Sequence, residues 1–212
     1  MKFTNMNNYK QIFLILEKDH KATMLEQFHN YSKFQLLIST LLSSRTKDST
    51  TIPIVKRMFK KWFRPEDFLK VDLEKLEQEL YGIGFYKVKA KNIKKLSKQL
   101  IEEFNGIVPS TLEGMTSLPG VGRKTANCML NYAFGKEAVA VDIHVHRISN
   151  RLGWIKTNKP EESEIELMRV LPRELWTQVN KLLVNHGQTV CLPINPKCKE
   201  CKISKYCEFR KN

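Results

Sequence analysis

Residues 118 to 127 read LPGVGRKTAN. Two glycines one residue apart, Gly120 and Gly122, precede a stretch whose apolar residues, Ala126, Met129, Leu130, Ala133 and Phe134, recur at helical spacing. Glycine adopts backbone angles that other residues resist and leaves its N–H unobstructed, so a Gly-x-Gly turn at the head of a helix joins accessible amides to the positive end of a helix dipole. That is an anion site suited to phosphate. The same figure occurs thirty-eight residues earlier, where Tyr81-Gly82-Ile83-Gly84-Phe85 precedes a second apolar stripe, Ile93, Leu96, Leu100, Ile101 and Phe104, backed by Lys91, Lys94, Lys95 and Lys98 on the expected solvent side. Each copy reads as helix, glycine hairpin, helix. A Gly-x-Gly alone is an ordinary helix connection, so the function depends on what surrounds the second copy.

Helical periodicity extends through the chain. Phe34, Leu37, Ile38, Leu41 and Leu42 form a stripe opened by Ser32 and Gln35 at capping-box spacing. Leu175, Val179, Leu182 and Leu183 form another. Only Val139 to Val145 alternates like a strand, and Asp142, a strong N-cap followed by Val145, Ile148 and Leu152, makes it a loop running into a helix. The expected fold class is all-α.

The charge of +14 and pI near 9.6 point to an anionic partner, with nucleic acid ahead of a membrane because no basic amphipathic terminal helix carries a Trp/Phe face. No apolar run approaches the ~20 residues that cross a bilayer. Met1 opens no charged-then-apolar secretory segment, so a cytoplasmic, nucleoid-associated, non-secreted protein is expected.

Four of the five cysteines, Cys191, Cys198, Cys201 and Cys207, fall in the last twenty-two residues with six, two and five residues between them. This is a metal-ligand pattern, with Cys198-x-x-Cys201 as the short chelating bite. Disulfides would leave Cys128 unpaired in a chain without a secretory segment. Spacing alone leaves zinc and an iron–sulfur cluster both open.

The hairpin, the Ala140-Val141-Asp142 triplet eighteen residues after Lys124, Arg147 and the C-terminal cysteines together resemble the endonuclease III family of helix-hairpin-helix DNA glycosylases, in the family's order from roughly Phe34 to Cys207. The resemblance implies a two-lobed helix-hairpin-helix fold with a [4Fe-4S] cluster on the four cysteines. A contiguous lobe of residues 26–136 carries both hairpins, residues 1–25 and 137–212 form the cluster lobe, and the active cleft lies between Lys124 and Asp142. It implies a bifunctional DNA glycosylase and abasic-site lyase of base excision repair, a monomer acting on double-stranded DNA with damaged bases or abasic sites.

In that scheme Gly120 and Gly122, with Arg123 and Thr125 beside them, hold a phosphate without reading sequence, and the damaged nucleotide is extruded from the duplex. Lys124 attacks the sugar C1′ as a neutral amine, and Asp142 stabilises the charge that develops as the base leaves. A lysine with its ordinary pKa is only ~0.1% neutral near pH ~7.4, whereas lowering the pKa to about 8 makes ~20% available. His144 matches a family position with a structural role, and Cys128, His146, His186 and the tryptophans read as packing.

Where the family commonly has LLSAQATD, this chain has Leu41-Leu42-Ser43-Ser44-Arg45-Thr46-Lys47-Asp48, and Phe85 replaces the usual leucine wedge. Arg45 donates but does not accept, which suits O6 and N7 of a guanine left without its partner, or phosphates. An aromatic ring at Phe85 can stack in a distorted duplex. Oxidised or ring-saturated pyrimidines are the expected substrates, with uracil or thymine mismatched to guanine as the nearest rival. Adenine and thymine mismatch glycosylases of the superfamily lack the lysine found at Lys124. The alternative of another class is a non-catalytic iron–sulfur protein that binds DNA or senses redox state. Lys197, Lys199, Lys202 and Lys205 flank the cysteines, where they either dock on DNA or offset the charge of the cluster.

Overall fold

A computed structural model describes residues 6–210, and every regular element among the described residues is helical. In chain order these are α1 (Met6–Glu17), α2 (Met24–Gln27), α3 (Lys33–Ser43), α4 (Asp48–Met58), α5 (Pro65–Lys70), α6 (Leu73–Glu79), α7 (Tyr86–Phe104), α8 (Leu112–Thr116), α9 (Arg123–Phe134), α10 (Ile143–Arg151), α11 (Pro160–Val170) and α12 (Trp176–Thr189). Short 3₁₀ turns surround the C-terminal cysteines. The chain divides into two compact units, residues 22–135 and residues 1–21 with 136–212.

In the 22–135 unit the core gathers around α3, α7 and α9. Ser32 and Gln35 exchange the two bonds of a capping box, Gln35 N donating to Ser32 Oγ at 3.2 Å and Ser32 N to Gln35 Oε1 at 2.9 Å. The cap fixes where α3 begins and so which side faces inward. Its apolar stripe is buried, and so are Ser39 and Thr40. Their hydroxyls donate to the carbonyls of Gln35 and Leu36, both at 2.7 Å, which removes the cost of burying them.

Helix α7 buries Ile93, Leu96 and Leu100 as its periodicity predicts. Lys94 departs from the expected solvent side. Its Nζ donates to the carbonyls of Phe68 (2.9 Å), Leu69 (3.1 Å) and Val71, closing the C-terminal end of α5. Residues 22–25, assigned above to the other lobe, belong to this unit. Thr23 closes a capping box on α2 through the Glu26 N–H (3.3 Å), and Met24 is buried beside Phe28 in the same core.

In the other unit α1 supplies Tyr9, Ile12, Phe13 and Leu16 to a core shared with α10 and α12. The rings of Tyr9 and Phe13 lie 5.3 and 5.9 Å from Trp154. Residues 139–141 are buried without pairing as a strand, and Asn180 Nδ2 satisfies the Ala140 carbonyl at 3.0 Å. Helix α10 starts directly after Asp142.

Removing the Leu96 side chain, fully buried in α7, should cost about 2 to 5 kcal/mol as Leu96→Ala. Lys98→Ala on the exposed side breaks only an i,i+4 pair with Glu102 and should stay within about 0.5 kcal/mol. Urea midpoints of the two variants check the inward face assigned to α7.

Candidate active site and DNA interface

The hairpin between α8 and α9 uses its two glycines differently. Gly120 has φ +82°, and a Cβ there would lie 2.8 Å from Asn92 Nδ2 on α7, so both the angle and the contact demand glycine. Gly122 has an ordinary φ of −86° and caps α9, yet nothing lies within 4 Å of where its Cβ would be. The head of α9 therefore opens onto space that a ligand can approach. Its carbonyl takes the first helical bond, from Ala126 N at 2.9 Å. Arg123 is exposed, Lys124 is half-buried and Thr125 is buried at 9% exposure. Burial of the Thr125 side chain leaves the backbone N–H in the first turn of α9 as what this residue offers a phosphate.

Asp48, the first residue of α4, is a carboxylate whose charge interacts with Lys124. Partial desolvation by the surrounding protein raises its carboxyl above the ordinary range, against the pull of the Lys124 charge and the Met24 N–H. In the sequence Asp48 is the last residue of the 41–48 motif, with no spacing that ties it to Lys124.

Two further loops of the same unit carry Arg45 and Phe85. Both residues are left-handed, φ 53° and 59°, and both are exposed, with the Arg45 guanidinium 5.5 Å from the Phe85 ring centre. Behind them Gly84 N donates to Thr46 Oγ1 at 3.1 Å. Lys89 Nζ donates to the carbonyls of Leu42 (2.9 Å) and Ser44 and lies 3.4 Å from Thr46 Oγ1. Lys89 is 7% exposed, and burial pushes its pKa down to about 8.

In the other unit Asp142 Oδ1 accepts from the N–H groups of His144 and Val145 at 2.9 and 3.0 Å, the two bonds of an N-cap. His144 packs so closely on α12 that a Cβ at Gly187 would lie 2.7 Å from its Nδ1, which is the structural role expected of it. Arg147 joins the His144 ring (3.1 Å) to the carbonyls of Gly187 (3.2 Å) and Cys191 (2.9 Å).

Cys191, Cys198, Cys201 and Cys207 line one cavity with Ile148, Leu152 and Ile203. Arg151 donates to Cys191 Sγ at 3.3 Å and to the carbonyls of Leu192 (2.7 Å) and Pro193 (2.9 Å). Burial raises the Cys201 and Cys207 thiols, while N–H groups of Ile203, Phe209 and Arg210 oppose it by donating to the sulfurs. His186 is buried, with Nε2 3.7 Å from Cys201 Sγ. Among the described residues no three His, Cys, Asp or Glu side chains form a preassembled site for a single ion.

The HhH-GPD superfamily of base excision DNA repair proteins matches residues 38–173. Endonuclease III of Thermotoga maritima is 43% identical over 200 residues, covering 94% of this chain and 90% of its own. The chain belongs to the endonuclease III family. A trapped endonuclease III–DNA covalent intermediate, an estranged-adenine complex, superposes with TM-score 0.87 at 35% identity over 98% of this chain and 97% of its own. A thermostable thymine-DNA glycosylase follows at TM-score 0.81 and 26% identity, over 97% and 94%. This chain is accordingly a base excision repair enzyme that binds DNA, with DNA glycosylase and abasic-site lyase activity.

Against that family background, the residues fall into two groups by unit. Gly120, Gly122, Arg123, Lys124, Arg45 and Phe85 lie in the 22–135 unit, and Asp142, Lys197, Lys199 and the four thiols in the other. Lys197 and Lys199 are exposed, but Lys202, grouped with them above, pairs with Asp19 at 2.7 Å. Asp48, Lys89, Arg151 and His186 are the site neighbours that spacing did not reveal. Asp48 alone had a local signal, its place in the 41–48 motif.

The two glycines of the hairpin should separate on replacement. Gly120→Ala should lower stability by more than about 1 kcal/mol through its positive φ and the Asn92 clash. Gly122→Ala should stay within about 1 kcal/mol and instead weaken DNA binding, because its new methyl meets no protein atom. Thermal unfolding and DNA titration of both variants measure the split.

Proposed function

We propose that this enzyme removes oxidised or ring-saturated pyrimidines from double-stranded DNA and nicks the strand by β-elimination, with Lys124 as nucleophile and Asp142 as its partner carboxylate. The observation that carries the proposal is the position of Lys124, half-buried in the first turn of a helix whose capping glycine faces open space. An amine there stands beside any phosphate held at the helix end.

The steps follow from these groups. Lys124, as a neutral amine, adds to the sugar C1′ while the glycosidic bond breaks and the base departs with a proton. The positive character that the sugar gains as the bond stretches is what Asp142 offsets. Its N-cap bonds, both to Oδ1, hold the carboxylate in one orientation. One nitrogen proton accounts for the one that leaves with the base, and the other passes to the ring oxygen O4′ as the C1′–O4′ bond breaks, giving a Schiff base between Nζ and C1′. Loss of a C2′ proton then expels the 3′ phosphate and cleaves the strand. Arg45 and Phe85 enter the duplex at the space the nucleotide leaves. Lys197 and Lys199, both exposed, add phosphate contacts.

The four thiols fit a [4Fe-4S] cluster. They ring a cavity walled by apolar side chains, and N–H and guanidinium donors reach three of the four sulfurs, as buried thiolates require. When bound, the cluster supplies four covalent anchors to a C-terminal segment with little apolar material of its own. We place the protein, as a monomer, with the DNA of the cytoplasm, in keeping with its charge of +14.

Uracil or thymine release from mismatches with guanine remains the second reading, supported by Arg45 and by the likeness to a thymine-DNA glycosylase. A cleavage panel of thymine glycol, dihydrouracil, uracil opposite guanine and plain abasic sites decides between them. Preference for the mismatch over both damaged pyrimidines overturns the first. The non-catalytic alternative does not agree with membership of a repair enzyme family.

Lys124→Gln should abolish nicking and borohydride trapping while leaving DNA affinity within about tenfold, because it removes one cation from a largely electrostatic interface. Asp142→Asn keeps an equally good N-cap, so it should slow base release in single turnover without loss of stability. Trapping retained by the first variant, or an unchanged rate in the second, removes that residue from the chemistry.

Purified without oxygen, the protein should be yellow-brown with about four irons per chain. Cys198→Ser should lose iron and solubility before any change in chemistry. One zinc in a colourless, active protein would refute the cluster.

A further inference from the structure

Arg45 and Phe85 stand on two loops that are distant in sequence, and each is a non-glycine residue in the left-handed region. Such backbone persists at bulky residues only where the surroundings over-determine it. Here the surroundings converge on one side chain. Lys89, on the first turn of α7 just behind Phe85, turns inward and donates to the carbonyls of Leu42 and Ser44, with Thr46 Oγ1 at 3.4 Å. The Leu42 carbonyl belongs to the last turn of α3, and the Ser44 and Thr46 oxygens belong to the loop beyond it that carries Arg45. Thr46 Oγ1 also accepts from Gly84 N on the Phe85 loop, so one hydroxyl touches both sides. The loops are close enough that a Cβ on Gly84 would lie 2.8 Å from the Arg45 carbonyl.

A buried ammonium is an expensive way to fill space. Burial lowers the Lys89 pKa to about 8, and an apolar chain of the same length would pack without that desolvation. What an apolar chain would not do is gather carbonyls at the end of α3 and hold the loop beyond it in a single shape.

We propose that Lys89 is the positioning residue of a two-loop wedge, fixing the 42–46 loop against the 82–85 turn so that Arg45 and Phe85 meet the duplex as one prestacked unit. The inference depends on the reading of Arg45 and Phe85 as the pair that enters the DNA. Its consequence is selectivity for the base opposite the lesion. A guanidinium already stacked on a ring has fewer orientations to lose on binding and presents only donors. Guanine offers O6 and N7 as two acceptors, whereas adenine sets a donor beside its N7. Without Lys89 the pair separates, and the selectivity disappears before the chemistry does.

The test uses the holoenzyme on duplexes with one abasic site opposite guanine or adenine, read as single-turnover rates. Wild type should favour guanine by about fivefold or more. Lys89→Met should bring that ratio to about one, with affinity for undamaged DNA within about threefold, because phosphate contacts lie elsewhere. Thr46→Val keeps the lysine, removes the hydroxyl shared by both loops and should lower the ratio in the same direction; it carries the test should Lys89→Met fail to fold. A ratio preserved in both variants, with only the overall rate reduced, makes Lys89 a packing residue and overturns the proposal. So does a wild-type ratio of about one that Arg45→Gln leaves unchanged. Failure of the lysine-nucleophile reading is separate and visible in the same assay, as wild-type protein that neither nicks nor traps.

Discussion

The head of α9 is pinned from two sides, and the chemistry assigned to Lys124 depends on that. Along the helix, Ala126 and Met129 are fully buried in the core shared with α3, where Thr40 Oγ1 reaches Met129 Sδ at 3.8 Å. Before the helix, Gly120 presses its bare Cα against Asn92 of α7. A helix held only by its apolar face can slide or rotate by a fraction of a turn at little cost, whereas a steric stop at the hairpin removes that freedom. Reaction rates fall steeply when a nucleophile is misplaced by as little as an ångström. The glycine contact is therefore as much a part of the site as the lysine. It also makes a tight turn and an accessible helix end compatible, because the crowding falls at Gly120 and leaves Gly122 clear.

A comparable economy governs the cysteine segment. Between Cys191 and Cys207 only Ile203 is buried among the apolar residues, so hydrophobic packing alone does not hold the segment. Side chains of α10 do part of the work. Arg147 and Arg151 collect the carbonyls of Gly187, Cys191, Leu192 and Pro193, and Cys207 Sγ lies 3.3 Å from the Arg151 carbonyl. Guanidinium suits this task because it stays charged when partly buried and spreads several donors over several acceptors. Since α10 is also the helix that Asp142 caps, the stability of the sulfur cage and the orientation of that carboxylate share one element.

What was legible in the sequence was whatever local spacing dictates. The helical stripe of α3, the Ile93, Leu96 and Leu100 face of α7, the Ser32–Gln35 capping box, the Asp142 cap and the grouping of the four thiols follow from intervals of two to seven residues and stand in the structure as read, while Ile101 and Phe104 at the end of the α7 stripe are only half-buried. What was not legible was set by contacts across long intervals. Lys94 and Lys89 look like solvent-facing lysines on a basic helix, yet each turns its ammonium to carbonyls 23 to 47 residues away. Lysine makes this hard to foresee because its stem packs like an aliphatic chain and only the last atom declares which way it points. Lys202 forms an exposed pair with Asp19, 183 residues distant, that its spacing among the cysteines did not reveal. Thr125 shows the opposite limit, a polar residue inside a motif whose helix phase turns it into the core.

The repeated Gly-x-Gly makes the same point about motifs. In sequence the two copies look interchangeable, each a hairpin before a helix. Gly84 exists because the Arg45 carbonyl leaves no space for a side chain, and the approach it permits is protein on protein. Around Gly122 no protein atom lies within 4 Å of where a side chain would begin, so no contact within the fold accounts for its missing side chain. One copy locks two loops of the fold together, and the other leaves a helix end unobstructed, as the proposed phosphate contact requires. The absence of a Cβ is identical in both, and only its surroundings distinguish a structural glycine from a binding one.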